Sequence, residues 1–386
     1  MRKKIYLSAP ALVCCAGKNM YELYESCLNG YQGGFVMRNN KDDDKMYPVG
    51  LIPGELSEVN LPPPLACSGD TKIIRVINAA LEQLRPAVEN AVSMYGHEKI
   101  GVCAGSCDIG SEVAFLAQLK KNDIHDEPDF NFQSASFCAE YITRKFGIKG
   151  PAFTVATACA SGANAIVRGS ELIQAGICDA VIAGGADVVT DTIFEGFHSL
   201  EALSENIANP FSRNRNGINL GEGAAFFLLE SKQNSGVELL GKGESADAYH
   251  MTAPGKGAAN AMKAALIDAR LSGGQIGYVN LHGTGTVLND EAESNAMNVI
   301  FGERCPPASS TKPVTGHTLG ASGALETAIC WMVLNEQRGT PLHCWDGACD
   351  DKLSFTPYSS KKTVSFCMNN NFGFGGCNVS LILRRC

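Results

Sequence analysis

The stretch Thr157–Ala163 reads TACASGA and lies where an apolar strand gives way to a helix of small residues. The preceding strand is predicted over Pro151–Ala156. The helix is predicted to run to about Ala175, with Gly176 as a typical left-handed residue beyond its end. A second apolar strand, Asp179–Ala183, follows. A strand, a helix and a strand at this spacing predict an α/β sheet.

A second helix of small residues repeats the first. The sequence ASGA occurs at Ala160–Ala163 and again at Ala321–Ala324, each time at the start of a predicted helix. Small residues let two helices approach closely, so the repeat predicts a duplicated fold whose two central helices pack against each other. The polar segment Ser231–Gly236 is the predicted junction, which divides the chain into residues 1–232 and 233–386.

The composition limits what the chain can be. It has 386 residues, of which 45% are hydrophobic and 19% charged, which excludes a disordered chain or a small disulfide scaffold. With 32 Lys+Arg against 40 Asp+Glu, the net charge of −8 disfavours general nucleic-acid binding. No run of about 18 apolar residues predicts a membrane span. The 16 cysteines lie mostly among small apolar residues, so we expect a reducing, cytoplasmic compartment.

Cys159 is the first candidate for chemistry. It lies at a tight strand-to-helix turn, the geometry of a nucleophile elbow, where the helix dipole favours a thiolate. Because the chain has 16 cysteines, an inert buried thiol is the alternative.

Two histidines lie in loops that follow predicted strands. His282 is part of NLHGTGT at Asn280–Thr286, and His317 is part of STKPVTGHTLG at Ser310–Gly320, five residues after Lys312. Strand-end loops commonly hold the sites of α/β folds. A turn or capping role is the alternative for each histidine. A zinc site on both lacks a third convincing ligand, and no phosphate-loop motif is present.

The last motif is NNNFGFGGCN at Asn369–Asn378, before a predicted terminal strand at Val379–Leu383. Its glycines permit close backbone approach. Two interpretations stay open, a β-hairpin turn and a gate that exposes N–H donors.

Together the motifs make the chain resemble the elongating β-ketoacyl-[acyl carrier protein] synthases, decarboxylating Cys-His-His condensing enzymes. The resemblance runs from about Ala139 to Arg384. Six motifs in order carry it: TACASG around Cys159, PFxxxRxGxxxGEG (Pro210–Gly223), DAYHMTAP (Asp247–Pro254), HGTGTxxND (His282–Asp290), STKxxxGHTxGASG (Ser310–Gly323) and NFGFGGxN (Asn371–Asn378). It implies a thiolase-like, layered αβαβα fold built from two pseudo-duplicated halves.

The resemblance also implies roles. Cys159 would take an acyl chain from the phosphopantetheine of an acyl carrier protein. His282 and His317 would hydrogen-bond the malonyl thioester and stabilise the enolate left when CO2 departs. Backbone N–H groups of Cys159 and Phe374 would form the oxyanion hole. A Claisen condensation needs a soft nucleophile that also leaves well, which Cys provides, and neutral imidazoles can stabilise an enolate without a metal.

Further residues have supporting roles by the same resemblance. Lys312 and Glu326 would organise the His317 side. Two facing loops would gate the acyl pocket, with the residues Asp247, His250, Phe372, Gly373, Phe374, Gly375 and Gly376. The implied enzyme has no bound cofactor or metal. It would form a homodimer, or a heterodimer with a chain-length-factor-like subunit.

Docking of an acidic carrier protein needs a local basic patch, because the chain is acidic overall. The candidates are Lys72, Arg75, Lys120 and Lys121. Solvated charges on a helix face are the alternative interpretation of these four residues.

Several positions depart from the family pattern. Ser212 and Asn216 stand where the family usually has Asp, and Asn371 stands where Ser is common. The segment Gly105–Gly110 also lacks the common Gly-rich form. None of these is a candidate catalytic residue, so they leave open the chain-length preference and the choice between fatty-acid and specialised polyketide or polyene synthesis.

Two other functions remain alternatives. A thiolase-type acyltransferase would use a second cysteine, for which Cys377 is the candidate. A non-catalytic, chain-length-factor-like subunit would lack the nucleophile, whereas this chain has Cys159.

Overall fold

The computed structural model describes residues 3–59, 71–108, 136–233, 235–247 and 255–386. Its α-helices are α1 (Met20–Asn29), α2 (Lys72–Tyr95), α3 (Phe137–Phe146), α4 (Ser161–Gln174), α5 (Asp191–Ser199), α6 (Gly257–Ala269), α7 (Val287–Phe301), α8 (Lys312–Thr315) and α9 (Ser322–Glu336). Its strands are β1 (Tyr6–Leu7), β2 (Ala11–Cys14), β3 (Phe35–Asn39), β4 (Met46–Gly50), β5 (Ile100–Gly105), β6 (Ala152–Val155), β7 (Ala180–Asp187), β8 (Gly223–Glu230), β9 (Val237–Ala246), β10 (Tyr278–Asn280), β11 (Ala308–Ser309), β12 (Phe366–Phe372) and β13 (Cys377–Arg385).

One mixed sheet contains all of these strands except the β3–β4 hairpin. Its order is β11-β10-β12-β13-β9-β1-β8-β7-β5-β6, with β2 also paired to β8. The short strand β1 joins the two halves of the sheet, since Tyr6 pairs with Glu230 of β8 and with Glu238 of β9. The predicted division after residue 232 falls between β8 and β9.

Helices cover and separate the two halves of the sheet. The central core contains α4 and α9 together with the inner faces of both halves, through residues such as Ile166, Leu229, Ile329 and Leu381. A second core packs α2 and α3 on β5, β7 and β8, through residues such as Ile77, Ile142, Ile182 and Leu228. A third packs α6 and α7 on β10, β12 and β13, through residues such as Met262, Met297, Val279 and Met368. The order helix, sheet, helix, sheet, helix confirms the predicted αβαβα layering.

The two ASGA segments meet in the central layer, as their repetition predicts. A Cβ atom on Gly162 would lie 2.7 Å from the carbonyl oxygen of Gly320, and one on Gly323 would lie 2.6 Å from the nitrogen of Ala163. Both distances are shorter than van der Waals contact, so only glycine lets α4 and α9 come this close. Their N-terminal ends bring the Cys159 turn and the His317 loop to the same place.

None of the helices within the described ranges is long and apolar enough to cross a membrane.

Candidate active site

The turn before α4 has the strained backbone of a nucleophile elbow. Ala158 has a φ of +50°, which a residue with a Cβ atom seldom adopts. Ser161 holds the turn, since its hydroxyl donates to the carbonyl of Ala158 at 2.6 Å and accepts the N–H of Thr157 at 2.9 Å. Asn164 donates to the Thr157 hydroxyl at 3.0 Å. These bonds fix Cys159 at the turn, as the sequence predicts.

The sulfur of Cys159 lies at the meeting point of two backbone N–H groups. The N–H groups of Phe374 and of Cys159 itself point at it, and the side chain is 3% exposed. Burial raises the pKa of this thiol to about 12, while the charge of Lys312 and the Phe374 N–H lower it in part. The resting thiol is therefore protonated. The expectation of a thiolate is wrong for this state, because burial outweighs the charge of Lys312 and the two N–H groups.

Two buried imidazoles lie side by side. The ring centroids of His282 and His317 are 5.5 Å apart, with the rings nearly perpendicular. Burial lowers the pKa of both rings well below the usual histidine value, and the positive charge of Lys312 lowers it further. Both imidazoles are therefore neutral at physiological pH.

Hydrogen bonds select one tautomer of each ring. The backbone N–H of Leu319 donates to Nδ1 of His317 at 3.2 Å. The Lys312 ammonium lies 3.4 Å from Nδ1 of His282. Because an N–H or ammonium group can only donate, each Nδ1 is an acceptor and each Nε2 carries the proton. The pair thus presents two N–H donors. Within the described ranges, no three His, Cys, Asp or Glu residues converge as metal ligands.

Lys312 and Glu326 form a buried ion pair with a distance of 2.5 Å between Nζ and Oε1. The Lys312 ammonium also donates to the carbonyl of His282 at 2.5 Å. The resemblance places this pair on the His317 side. The hydrogen bonds of the Lys312 ammonium instead go to His282, because Lys312 on α8 lies next to the His282 loop.

A second carboxylate holds the backbone of the same loop. Glu293 on α7 accepts the N–H of His282 at 2.9 Å and that of Gly283 at 2.7 Å. Asn370 donates to it at 3.3 Å. Burial raises the pKa of Glu293 to about 7 although these N–H groups lower it. Glu293 follows the HGTGT motif in the sequence, but only the fold shows that it returns to bind that loop.

The GFGG motif forms the hairpin turn that its sequence allows, and the N–H of Phe374 within it points at the Cys159 sulfur. Gating by this turn stays a prediction. Residues 373–376 connect the antiparallel strands β12 and β13. A Cβ atom on Gly373 would lie 2.9 Å from the carbonyl of Thr157, and Gly375 and Gly376 have φ angles of +83° and +86°. All three positions therefore need glycine.

Aromatic rings and the facing loop line this turn. The ring centroid of Phe374 is 5.8 Å from that of Phe197 on α5, and the Phe372 ring is 6.0 Å from that of His282. The N–H of Asp247 donates to the carbonyl of Gly376 at 3.1 Å, so the two predicted gating loops are in contact. His250 lies outside the described residues.

Asp187 and Phe197 are site residues that sequence reasoning missed. The fully buried carboxylate of Asp187 accepts the N–H groups of Cys107, Asp108 and Gly320 at 2.6 to 3.2 Å. It thereby ties the loop after β5 to the start of α9. An acid at the carboxyl end of the apolar strand β7 is the sequence signal that can reveal it.

Ser212, which stands where the family pattern has an acid, contacts the carboxylate of Asp346 on another loop. The hydroxyl of Ser212 donates to Asp346 at 2.8 Å, and the amide of Asn214 donates to the other oxygen of that carboxylate at 2.8 Å. Burial raises the pKa of Asp346, but the N–H of Ala348 and these two side chains lower it to about 2. Asn216 accepts the hydroxyl of Ser204 at 2.7 Å. Both departures thus retain hydrogen-bond partners.

The predicted basic patch is only partly available for docking. The ammonium of Lys72 lies 2.6 Å from the fully buried carboxylate of Glu222, and Arg75 lies 4.0 Å from Glu58. The charge of Lys72 therefore has an internal partner. Lys120 and Lys121 lie outside the described residues.

Comparison with known proteins adds an independent result. The family models "Beta-ketoacyl synthase, N-terminal domain" and "Beta-ketoacyl synthase, C-terminal domain" match residues 70–235 and 237–343. The 3-oxoacyl-[acyl-carrier-protein] synthase 2 of Staphylococcus aureus (strain COL) is 30% identical over 413 residues, covering 99% of this chain and 98% of that protein.

Solved structures of ketosynthases are similar to this chain over its whole length. A ketosynthase in complex with its chain length factor, from Xenorhabdus doucetiae, matches with a TM-score of 0.90 and 36% identity over 100% of this chain and 98% of that chain. A β-ketoacyl synthase from Burkholderia phymatum STM815 matches with a TM-score of 0.86 and 28% identity over 100% of both chains. With its elbow cysteine, its paired imidazoles and these matches over both halves, the chain belongs to the β-ketoacyl synthase family and is an acyltransferase.

Proposed function

We propose that this chain condenses an acyl group on Cys159 with malonyl-[acyl carrier protein], giving 3-oxoacyl-[acyl carrier protein], CO2 and free carrier protein. The observation that carries the proposal is the pair of buried neutral imidazoles whose Nε2 atoms carry the proton. The close approach of Gly162 to Gly320 brings the His317 loop to the elbow that holds Cys159. Two N–H donors in a dry site suit the oxygen of an enolate.

In the first half-reaction, the sulfur of Cys159 attacks the carbonyl carbon of an acyl thioester carried on phosphopantetheine. The carrier thiol leaves and takes up the proton that Cys159 loses. The N–H groups of Phe374 and Cys159, which point at the sulfur in the resting enzyme, would stabilise the tetrahedral oxyanion.

In the second half-reaction, the C–C bond to the malonyl carboxylate breaks and CO2 departs. The electron pair left behind forms an enolate, whose oxygen accepts the Nε2–H groups of His282 and His317. The enolate carbon then attacks the acyl carbonyl and expels the thiolate of Cys159, which takes up a proton. The neutral state of both rings supports this role, because an imidazole can donate without carrying charge into the buried site.

The thiolase-type alternative requires a second reactive cysteine. Cys377 lines a cavity of about 600 Å³ beside β6, together with Phe153 and Arg168. No ring contact or hydrogen bond among the described residues links the thiol of Cys377 to His282 or His317. This favours the decarboxylating reaction.

Malonyl-carrier protein offered without any acyl donor distinguishes the two reactions. We expect the wild-type protein to release CO2 from it, because the imidazoles act on the malonyl thioester alone. A thiolase-type enzyme would release none. Trapped CO2 and the mass of the acetyl-carrier product are the measurements, and absence of both would contradict the proposal.

The pathway remains within fatty-acid or polyketide synthesis. The substituted segment from Gly105 to Asp108 lies beside Cys159, since a Cβ atom on Gly105 would clash with the backbone of Ser161. A panel of acyl-carrier proteins, read by intact mass of the acylated enzyme, would identify the preferred chain. We place the enzyme in the reducing cytoplasm, because the described cysteines are free thiols.

We also propose that β6 forms the contact with a second ketosynthase-like subunit. It is an edge strand paired only with β5 among the described strands, and Phe153 on it is 36% exposed. Open edges of this kind pair readily with another chain. The Xenorhabdus relative was solved with a chain length factor. The native mass of the protein, alone and after co-expression with such a subunit, distinguishes a homodimer from a heterodimer.

A further inference from the structure

Three consecutive, fully buried asparagines lie near the end of β12. Successive side chains of a strand point to opposite faces. Asn369 and Asn371 both bind α9, the first through two acceptors at 2.9 and 3.0 Å and the second through Glu326 at 2.5 Å. Asn370 points the other way and donates to Glu293. Only Asn371 contacts the buried ion pair.

The two oxygens of Glu326 have different partners. Oε1 accepts the ammonium of Lys312 at 2.5 Å, and Oε2 accepts the side-chain amide of Asn371 at 2.5 Å. Glu326 is 2% exposed, so bulk solvent does not reach its carboxylate. In the part of the chain that the structure describes, the hydrogen bond to Oε2 comes from Asn371. The side chain of a serine is shorter and would not reach Oε2 from this backbone position.

The orientation of the Asn371 amide is determined by this contact. Its Oδ1 is buried and has no hydrogen-bond partner among the described residues. Turning the amide over would place that oxygen against the carboxylate of Glu326. An unpartnered buried acceptor lowers stability, so folding alone does not account for asparagine here.

We propose that Asn371 is a positioning residue for decarboxylation. Its amide keeps the carboxylate of Glu326 directed at Lys312, so that the lysine keeps the His282 ring in its donating tautomer. This inference rests on the proposed function. It assigns a task to a residue that differs from the serine common at this position.

The charges around the His282 ring predict how CO2 release should depend on pH when the Asn371 amide is removed. Burial raises the pKa of Glu326, and Lys312 and the Asn371 amide lower it. Without the amide, the pKa of Glu326 rises further, and the carboxylate takes up a proton at a higher pH. Lys312 then loses its counter-charge, and its hold on Nδ1 of His282 weakens.

The variants Asn371→Ser, Asn371→Asp and, as a matched control, Asn369→Ser test the inference. The assays are CO2 release from malonyl-carrier protein as a function of pH, acylation of Cys159 by intact mass, and thermal unfolding. For Asn371→Ser we expect about a tenfold loss of CO2 release near neutral pH, as for one hydrogen bond to a charged group. The acid limb of the profile should move to higher pH with acylation retained, and Tm should fall by about a few degrees because Oε2 of the buried Glu326 loses its donor.

The other two variants are expected to move the acid limb further than the serine variant does and not at all, respectively. Asn371→Asp keeps the shape but places a second carboxylate beside Glu326, so its acid limb should move further than that of the serine variant. Asn369→Ser loses hydrogen bonds to α9 only, so it should lower Tm and leave the acid limb in place.

Each remaining outcome has a definite meaning. A wild-type pH profile in Asn371→Ser would overturn the inference, as would an equal loss of Tm, acylation and CO2 release, which would indicate a purely structural role. Failure of the wild-type protein itself to release CO2 would refute the proposed function instead.

Discussion

Replacing Cys159 by alanine should abolish condensation while leaving CO2 release from malonyl-carrier protein measurable. The variant has no atom to carry the acyl group, so we expect product formation to fall at least about a thousandfold. The imidazoles and their hydrogen bonds are untouched by the change, so the malonyl half of the reaction can still proceed. Product analysis by mass spectrometry and trapped CO2 measure the two halves separately.

Cys377→Ala is the matched control for this prediction. Cys377 lines the cavity beside β6, and its backbone carbonyl, which accepts the N–H of Gly373 at 2.7 Å, is unchanged by the substitution. The control should therefore condense at close to the wild-type rate. Activity retained in Cys159→Ala and lost in Cys377→Ala would reverse the assignment and favour the thiolase-type alternative.

Replacing Lys312 by methionine should damage both stability and chemistry. The change leaves the buried carboxylate of Glu326 without its cation, which costs about 3–5 kcal/mol of unfolding free energy. It also removes the donor that holds Nδ1 of His282, so CO2 release should fall by about a hundredfold. Urea unfolding and the CO2 assay measure the two effects.

The double variant Lys312→Met with Glu326→Gln separates these effects. Removing the carboxylate charge as well should recover most of the lost stability, whereas CO2 release should stay low because the ring still lacks its donor. If the double variant recovered CO2 release, the role of Lys312 would be structural. If Lys312→Met alone unfolded at the wild-type urea concentration, the ion pair would not contribute as described.

The central layer and the nucleophile were predictable from short local patterns. A strand, the TACASGA turn and a helix of small residues identify the elbow, and the repeated ASGA identifies the two helices that meet. The glycines of the GFGG motif were predictable for the same reason, since the close approach of Gly373 and the positive φ angles of Gly375 and Gly376 suit no other residue.

Other features depend on contacts that no local pattern encodes. The segment from Gly30 to Asp44 reads as a polar loop, yet it contains β3, because Val36 and Met37 pair with β4 while remaining exposed. Pro86 favours a break, yet α2 continues to Tyr95, because buried residues on both sides share one apolar face.

In the active site, too, some features follow from local sequence patterns and others depend on long-range contacts. Cys159, His282 and His317 were predicted from their motifs, but the raised pKa of the Cys159 thiol depends on burial and on the charge of Lys312, which only the fold brings together. That Lys312 binds His282 rather than His317 likewise depends on how the fold places α8 next to the His282 loop. In the sequence, Asn371 was notable only because the family commonly has Ser at this position. Its hydrogen bond to Glu326 is a contact for which we propose a function.

The position of β1 has a consequence for how the chain is made. This strand is synthesised before the other described strands, yet its partners are residues 229, 230 and 238, at the border between the two halves. The two halves of the sheet cannot join until β9 has been synthesised, so β1 remains without its partners while more than 200 residues are added. Long-range pairing of this kind slows folding and exposes the nascent chain to aggregation. Removal of β1 would therefore separate β8 from β9 at the centre of the sheet.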